Sequence, residues 1–218
     1  MTTRDAGLLA VFTDIPDAEE AEFNRWYDGE HMAERVGIPG FVAAQRYRAV
    51  AAQPKYLALY ETTGLPVFLS DAYQRALANQ TAWSRTVMGR FQNLHRLVAA
   101  RRAVAGAGLG GVAGILRFTA NAPIPAASMA DLVGPAGRDG VLAGMLYEAD
   151  PDLSGPPVPL GEKRPVTSRR EWLLVVQATT ETAAREAIMA AGGHVPAGAT
   201  DRVSGLYRLM WELRAAVA

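Results

Sequence analysis

The chain spells one pattern twice, and a repeated pattern restricts the fold more than any single motif does. GFVAAQRYRA at 40–49 aligns without a gap with GVLAGMLYEA at 140–149. KYLALYETT at 55–63 answers EWLLVVQAT at 171–179, and NLHRLVAARR at 93–102 answers GLYRLMWELR at 205–214. The three matches fall in the same order in both halves, which points to a tandem duplication.

Periodicity gives the two halves the same element order. In the first, 8–14 is a strand, and Asp17 caps a helix running to about Val36, where GIPG stops it. Strands follow at 41–50 and 55–62, joined by the short AAQP turn, then a helical stretch over 65–89 with a break near Asn79, then a strand over 91–102. The second half reads strand 112–120, helix 126–133, strands 140–149 and 170–179, helix 180–191 and strand 203–214. This βαββαβ order is the ferredoxin-like unit. A four-stranded sheet with helices on one face leaves its other face bare, and a second copy in the same chain is the nearest cover. The expected fold class is α+β: two tandem ferredoxin-like units, 1–104 and 112–218, joined by the AGAGLGG linker 105–111 and closed into a pseudo-dimeric α+β barrel. The space between the sheets is the expected ligand site. The second half carries a Pro/Gly-rich insertion at 150–170, expected as a surface loop or lid.

Composition removes several functions. Acids and bases number 22 each, so the basic excess of a nucleic-acid binder is absent. No apolar run approaches the roughly 18 residues of a membrane span, and the N-terminal stretch does not read as a signal peptide, so a cytoplasmic chain with no membrane partner is expected. Without cysteine there is no thiolate nucleophile or zinc–thiolate site, and no phosphate-cradling glycine loop stands in the expected context. A small molecule remains as the partner, with no metal and no cofactor, and the assembly is a pseudo-dimeric monomer or a homodimer.

The densest chemistry is NRWYDGEHM, residues 24–32. At helical spacing Phe23, Trp26, Tyr27 and Glu30 share one face, with His31 on its flank. Asp28 lies three residues before His31 and Glu34 three after, so either carboxylate can hold one ring nitrogen and leave the other to exchange a proton. The plainer alternative is a solvated histidine at a helix end.

The run FNRWYDGEHMAERVGIPGFVAAQRYR resembles the first helix and second strand of the EthD-like proteins of the dimeric α+β barrel superfamily. The matching positions are Trp26, Tyr27, His31, Pro39, Gly40, Phe41, Arg46 and Tyr47, and TAWSRTVMGRFQNLHR at 81–96 is similar to the second helix and last strand of the same group. The resemblance implies that His31 borders the cleft. It leaves the activity open among isomerases, cyclases, dehydratases, cofactor-free monooxygenases and haem enzymes.

Alternation on the strands places Gln45 and Tyr47 opposite Arg46, and Tyr56 and Tyr60 opposite Leu57 and Leu59. The leucine face suits helix packing, so Tyr56 and Tyr60 are expected to face the barrel. The candidate catalytic residues are His31 as general acid/base, with Tyr47 and Tyr60 as donors to a developing enolate. Candidate ligand contacts are Trp26, Tyr27, Gln45, Arg46, Tyr56 and His95, each with an ordinary packing role as its alternative; Arg46 has Glu30 or Glu61 as expected salt-bridge partners. The reading is a cofactor-independent isomerase, cyclase or lyase acting on a small cyclic or aromatic carbonyl or enol compound. Its alternatives are a non-catalytic carrier of a hydrophobic metabolite, a haem protein (for which the second half offers only loop-borne His194) and a cofactor-free oxygenase.

Overall fold

The computed structural model describes residues 6–155 and 170–216. The first half runs β1 (Gly7–Asp14), a composite helix α1 (17–36), β2 (Phe41–Ala51), β3 (Tyr56–Thr62), a 3-10 turn (Leu65–Leu69), α2 (Asp71–Ala78), α3 (Ala82–Met88) and β4 (Gln92–Gly106). The second runs β5 (Val112–Ala120), α4 (Ala126–Val133), β6 (Val141–Ala149), β7 (Arg170–Ala178), α5 (Glu181–Gly192) and β8 (Thr200–Arg214). The expected break near Asn79 is present: α2 ends there, and Thr81 starts α3 by accepting from the Ser84 amide. Two expectations change at element ends. Asp17 does not cap α1, since Pro16 holds the cap position and no side chain accepts there. The linker is also shorter than expected, because β4 extends to Gly106 through pairing with β6.

Eight strands close one antiparallel barrel in the order β1-β3-β2-β8-β5-β7-β6-β4. The succession β4-β1-β3-β2 recurs as β8-β5-β7-β6, and the halves meet along two seams, β2 with β8 and β4 with β6. No helix among the described residues is long and apolar enough to cross a membrane.

The barrel interior corrects the sequence reading. Leu8, Ala10 and Phe12 of β1, Leu57 and Leu59 of β3, and Ile115, Leu173 and Val175 from the second half meet there with Tyr47, Tyr147 and Tyr207. An eight-stranded barrel has little more room than such side chains need, so this interior is a packed core. The leucine face of β3 therefore points inward. Tyr56, Ala58 and Tyr60 face outward, packing with Leu9 and Val98 against α1. Leucine suits either layer, so the leucine row alone does not orient the strand.

The second half closes tightly under its helices. Ala184, Ala187 and Ala191 of α5 are buried against the sheet. A Cβ on Gly114 would sit 2.8 Å from Ile188 Cγ1, so helix and strand touch. The insertion begins with an ordered corner: Asp150 accepts from the amides of Asp152 and Leu153 at 2.9 and 3.0 Å, and Ser154 pairs with the Val98 backbone. The rest of the expected loop, 156–169, lies outside the described residues.

A candidate ligand cavity beneath the first helix

The helix expected over 17–36 is not uniform. It consists of a 3-10 turn (Asp17–Glu19), an α-helical piece (Glu20–Trp26), a π-helical turn (Tyr27–His31) and a second α-helical piece (Met32–Val36). The π turn coincides with YDGEH, and turns of this kind concentrate at functional sites. Phe23, Trp26, Tyr27 and His31 all turn inward. Glu30 fastens the helix to α3, accepting from Trp26 Nε1, Thr81 Oγ1 and Ser84 Oγ at 3.2, 2.7 and 2.8 Å. Trp26 Nε1 also donates to Ser84 Oγ at 3.0 Å.

Pinned in this way, the Trp26 indole is a flat wall for His31. The two rings stack with centroids 4.1 Å apart and 24° between planes. Tyr27 and Tyr60 stand edge-on to the imidazole, with centroids at 5.3 and 6.2 Å. A cavity of about 420 Å³ opens here between α1, α2 and α3 and the outer face of β1, β3 and β4, a volume typical of small-ligand sites. Leu9, Val11, Met88 and Phe91 supply apolar wall, while Tyr27, His31, Arg35, Tyr60, Tyr73 and Arg96 supply polar atoms.

Buried polar atoms are normally hydrogen-bonded, so exceptions locate unmet chemistry. Among the described residues four buried side-chain atoms lack a partner: His31 Nδ1, Arg35 Nε, Tyr60 Oη and Trp172 Nε1. Three of those four belong to residues lining this cavity.

His31 is 8 % exposed. Its Nδ1 lies 3.4 Å from Glu34 Oε2, within ion-pair range but without hydrogen-bond alignment. Burial, with Arg35 assisting and Glu34 opposing, pulls the imidazole pKa down to about 4. The ring is therefore neutral at pH 7. The Glu34 carboxylate favours the proton on Nδ1, which leaves the Nε2 lone pair for the cavity. Tyr60 is pushed the other way: burial raises its phenol well above the ordinary range, so it stays a donor. Arg35 is 3 % exposed and its Nη2 lies 3.4 Å from Glu34 Oε2. Arg96 Nη1 donates to the Leu153 and Gly155 carbonyls at 2.6 and 3.1 Å, and its Nη2 to Tyr73 Oη at 3.0 Å.

The structure thus brings His31, Tyr60 and Tyr27 together and scatters the other candidates. Trp26 stands behind the imidazole as its support. Tyr47 and Gln45 lie in the barrel interior, where Tyr47 Oη accepts from Gln177 Nε2 at 3.1 Å and Gln45 Nε2 donates to Glu61 at 2.9 Å. Arg46 pairs with neither Glu30 nor Glu61. It donates to Asp28 at 2.8 Å and Asn24 at 2.7 Å while lying 4.2 Å over the Tyr27 ring. Asp28 is occupied there and by Trp211, so of the two flanking acids Glu34 is the one that reaches His31. Tyr56 Oη bonds Glu20 near the start of α1. His95 bonds Glu171 at 2.8 Å, away from the cavity, and His194 lies just after α5, outside the cavity lining. Arg35, Tyr73 and Arg96 were missed. Arg35 follows His31 by four residues, and Arg96 lies one position from His95 on the opposite strand face.

No protein-family model and no curated protein sequence matches the chain. Solved structures do. An anthrone oxidase-like protein superposes with TM-score 0.62 at 9% identity, covering 99% of this chain and 95% of its own. A "putative monooxygenase" from Lactobacillus acidophilus NCFM gives TM-score 0.58 at 8% identity, covering 98% of each chain. A point mutant of chlorite dismutase from Candidatus Nitrospira defluvii gives 0.56 at 10% identity, covering 94% of this chain and 92% of its own. The fold is that of the dimeric α+β barrel. In this dimeric α+β barrel the candidate site lies outside the barrel, between sheet and helices, in the first half. The second half carries at the equivalent place the close packing of α5 on β5.

Proposed function

We propose that the chain is a cofactor-independent acid/base enzyme acting on a small, mostly apolar cyclic or aromatic carbonyl or enol compound bound in this cavity. The observation that carries the reading is the convergence of an imidazole, a buried phenol hydroxyl and a buried guanidinium, each with a polar atom lacking an aligned hydrogen bond, on one hollow with apolar walls. His31 Nε2 removes a proton from the carbon beside the carbonyl. The C–H electron pair moves into the carbonyl, and Tyr60 donates to the resulting enolate oxygen. Returning the proton to a different carbon gives an isomer; cyclase and lyase outcomes share the first step. An imidazole with pKa near 4 is a weak base in the empty cavity, but the enolate's negative charge favours the imidazolium, so basicity rises as the reaction proceeds. The EthD-like motif around His31 supports the same assignment, and the repeated strand succession supports residues 1–104 and 112–218 as duplicated ferredoxin-like units.

The test is hydrogen exchange in deuterated water with cyclic and aryl ketones, followed by NMR. Catalysed exchange α to the carbonyl is expected, falling about 10²–10⁴-fold in His31→Gln. Equal exchange in that variant overturns the assignment of His31.

A second reading begins at the same enolate and is favoured by the likeness to an anthrone oxidase-like protein and a "putative monooxygenase". Dioxygen accepts electrons from the carbanion, so that CH2 plus O2 becomes C=O plus H2O. Oxygen uptake in step with substrate loss distinguishes it from isomerisation. Haem, the other alternative, does not fit the side chains as they stand. His31 is the imidazole available at the cavity, and one of its faces is covered by Trp26 while Tyr27 and Tyr60 crowd its edges. A coordinated macrocycle would have to displace those rings. A saturable Soret band on hemin titration would reverse that judgement.

A further inference from the structure

We infer that the compound this cavity accepts carries a carboxylate, held by Arg35 and Arg96. The inference rests on the acid/base reading for the ligand's cyclic carbonyl part and adds the anionic part. Two guanidinium groups line the cavity, 3 % and 8 % exposed, and no Asp or Glu among the described residues lines it. A buried cation without a full counter-charge is costly, and neither arginine has one among the described residues. Arg35 touches a carboxylate through a single Nη2 contact at 3.4 Å, to a Glu34 shared with His31, and its Nε has no partner. Arg96 makes all three of its hydrogen bonds to uncharged acceptors, the Leu153 and Gly155 carbonyls and the Tyr73 hydroxyl, and has no ion pair among the described residues.

Those bonds also hold Arg96 in place. The Leu153–Gly155 corner and Tyr73 grip its guanidinium from two sides, so the cation is positioned before any ligand arrives. His31 is neutral and Tyr60 is a donor, so neither supplies negative charge. The hollow thus offers an excess of fixed positive charge inside an apolar wall, which selects an aromatic or alicyclic acid over its neutral analogue. Guanidinium matches carboxylate geometry in a way that a hydroxyl or amide does not.

The probes are 2-naphthoate and 2-naphthamide, equal in shape and different in charge, titrated by calorimetry at pH 7 in chloride buffer. The wild-type chain is expected to bind the acid at least about 10-fold tighter than the amide. The ratio should fall towards one in Arg35→Gln and in Arg96→Gln, and Arg35→Lys should retain part of it. His31→Gln should keep the ratio while losing proton exchange, which separates this inference from the enzymatic reading. Equal affinities in the wild type, no binding of either probe at millimolar concentration, or an unchanged ratio in both glutamine variants overturns it. A charge preference in a chain without any exchange activity would sink the enzyme and leave the acid site standing.

Discussion

Acidification should unfold this protein through His31 in a measurable amount. Burial takes the imidazole from 6.5 to about 4, so between those values the unfolded chain binds a proton that the folded chain refuses. Stability is therefore fully present above pH 6.5 and drains away as the pH falls towards 4. For a shift from 6.5 to about 4, linkage gives about 2 kcal/mol lost between pH 7 and pH 4.5. Glu34 adds in the same direction, because its carboxyl is held low first by contact with His31 and so loses its advantage as it protonates. Urea unfolding at the two pH values, for wild type and His31→Gln, isolates the effect. The wild type should lose at least about 2 kcal/mol more over that interval than the variant does. Parallel pH profiles would show that the imidazole is not buried and neutral, and the acid/base reading would lose its base.

Other outcomes follow from the same contacts. The kcat/KM of the wild type should fall on its acid side near pH 4, where His31 protonates, and stay level through 6.5; a midpoint near 6.5 argues for a solvated ring. Tyr60→Phe removes a buried hydroxyl that has no aligned hydrogen bond and only the Tyr27 hydroxyl in reach, so the melting temperature should change little while turnover drops about 10²-fold. Glu30→Ala strips acceptors from Trp26, Thr81 and Ser84 and should cost about 1–3 kcal/mol in chemical denaturation. Gly114→Ala forces a Cβ to 2.8 Å from Ile188 and should cost about 1–3 kcal/mol, with the ligand cavity in the other half unaffected in a binding assay.

The barrel was legible because its cause is local and repeated. Alternating strands, a GIPG stop and a matched order of segments require no tertiary knowledge, and the eight strands close one mixed α+β barrel. His31 was legible for a similar reason, as one imidazole among aromatic rings at helical spacing. The side on which the ligand space opens was not. Leu57 and Leu59 are equally content under a helix or inside a barrel, so alternation separated the two faces of β3 without saying which was inner. Tyr47 and Gln45 followed that error into the packed interior. The partner of Arg46 was lost to a different effect: ideal helical spacing takes no account of the π turn, which displaces Asp28 and Glu30 relative to the sheet. Arg35 and Arg96 look like ordinary surface arginines in sequence, and only the folded helix layer shows them buried at a cavity that no acid among the described residues lines.

That π turn spans Tyr27–His31, just before the second α-helical piece. One residue more or fewer in a helix swings everything beyond it by about 100°. The π turn holds one residue more than an α turn, so a deletion at Gly29 would be absorbed by closing Tyr27–His31 into an α turn. The same deletion in the α-helical piece Glu20–Trp26 would carry His31 round by about 100° relative to the residues before it. Where along this helix a codon is lost would then matter more than the loss itself.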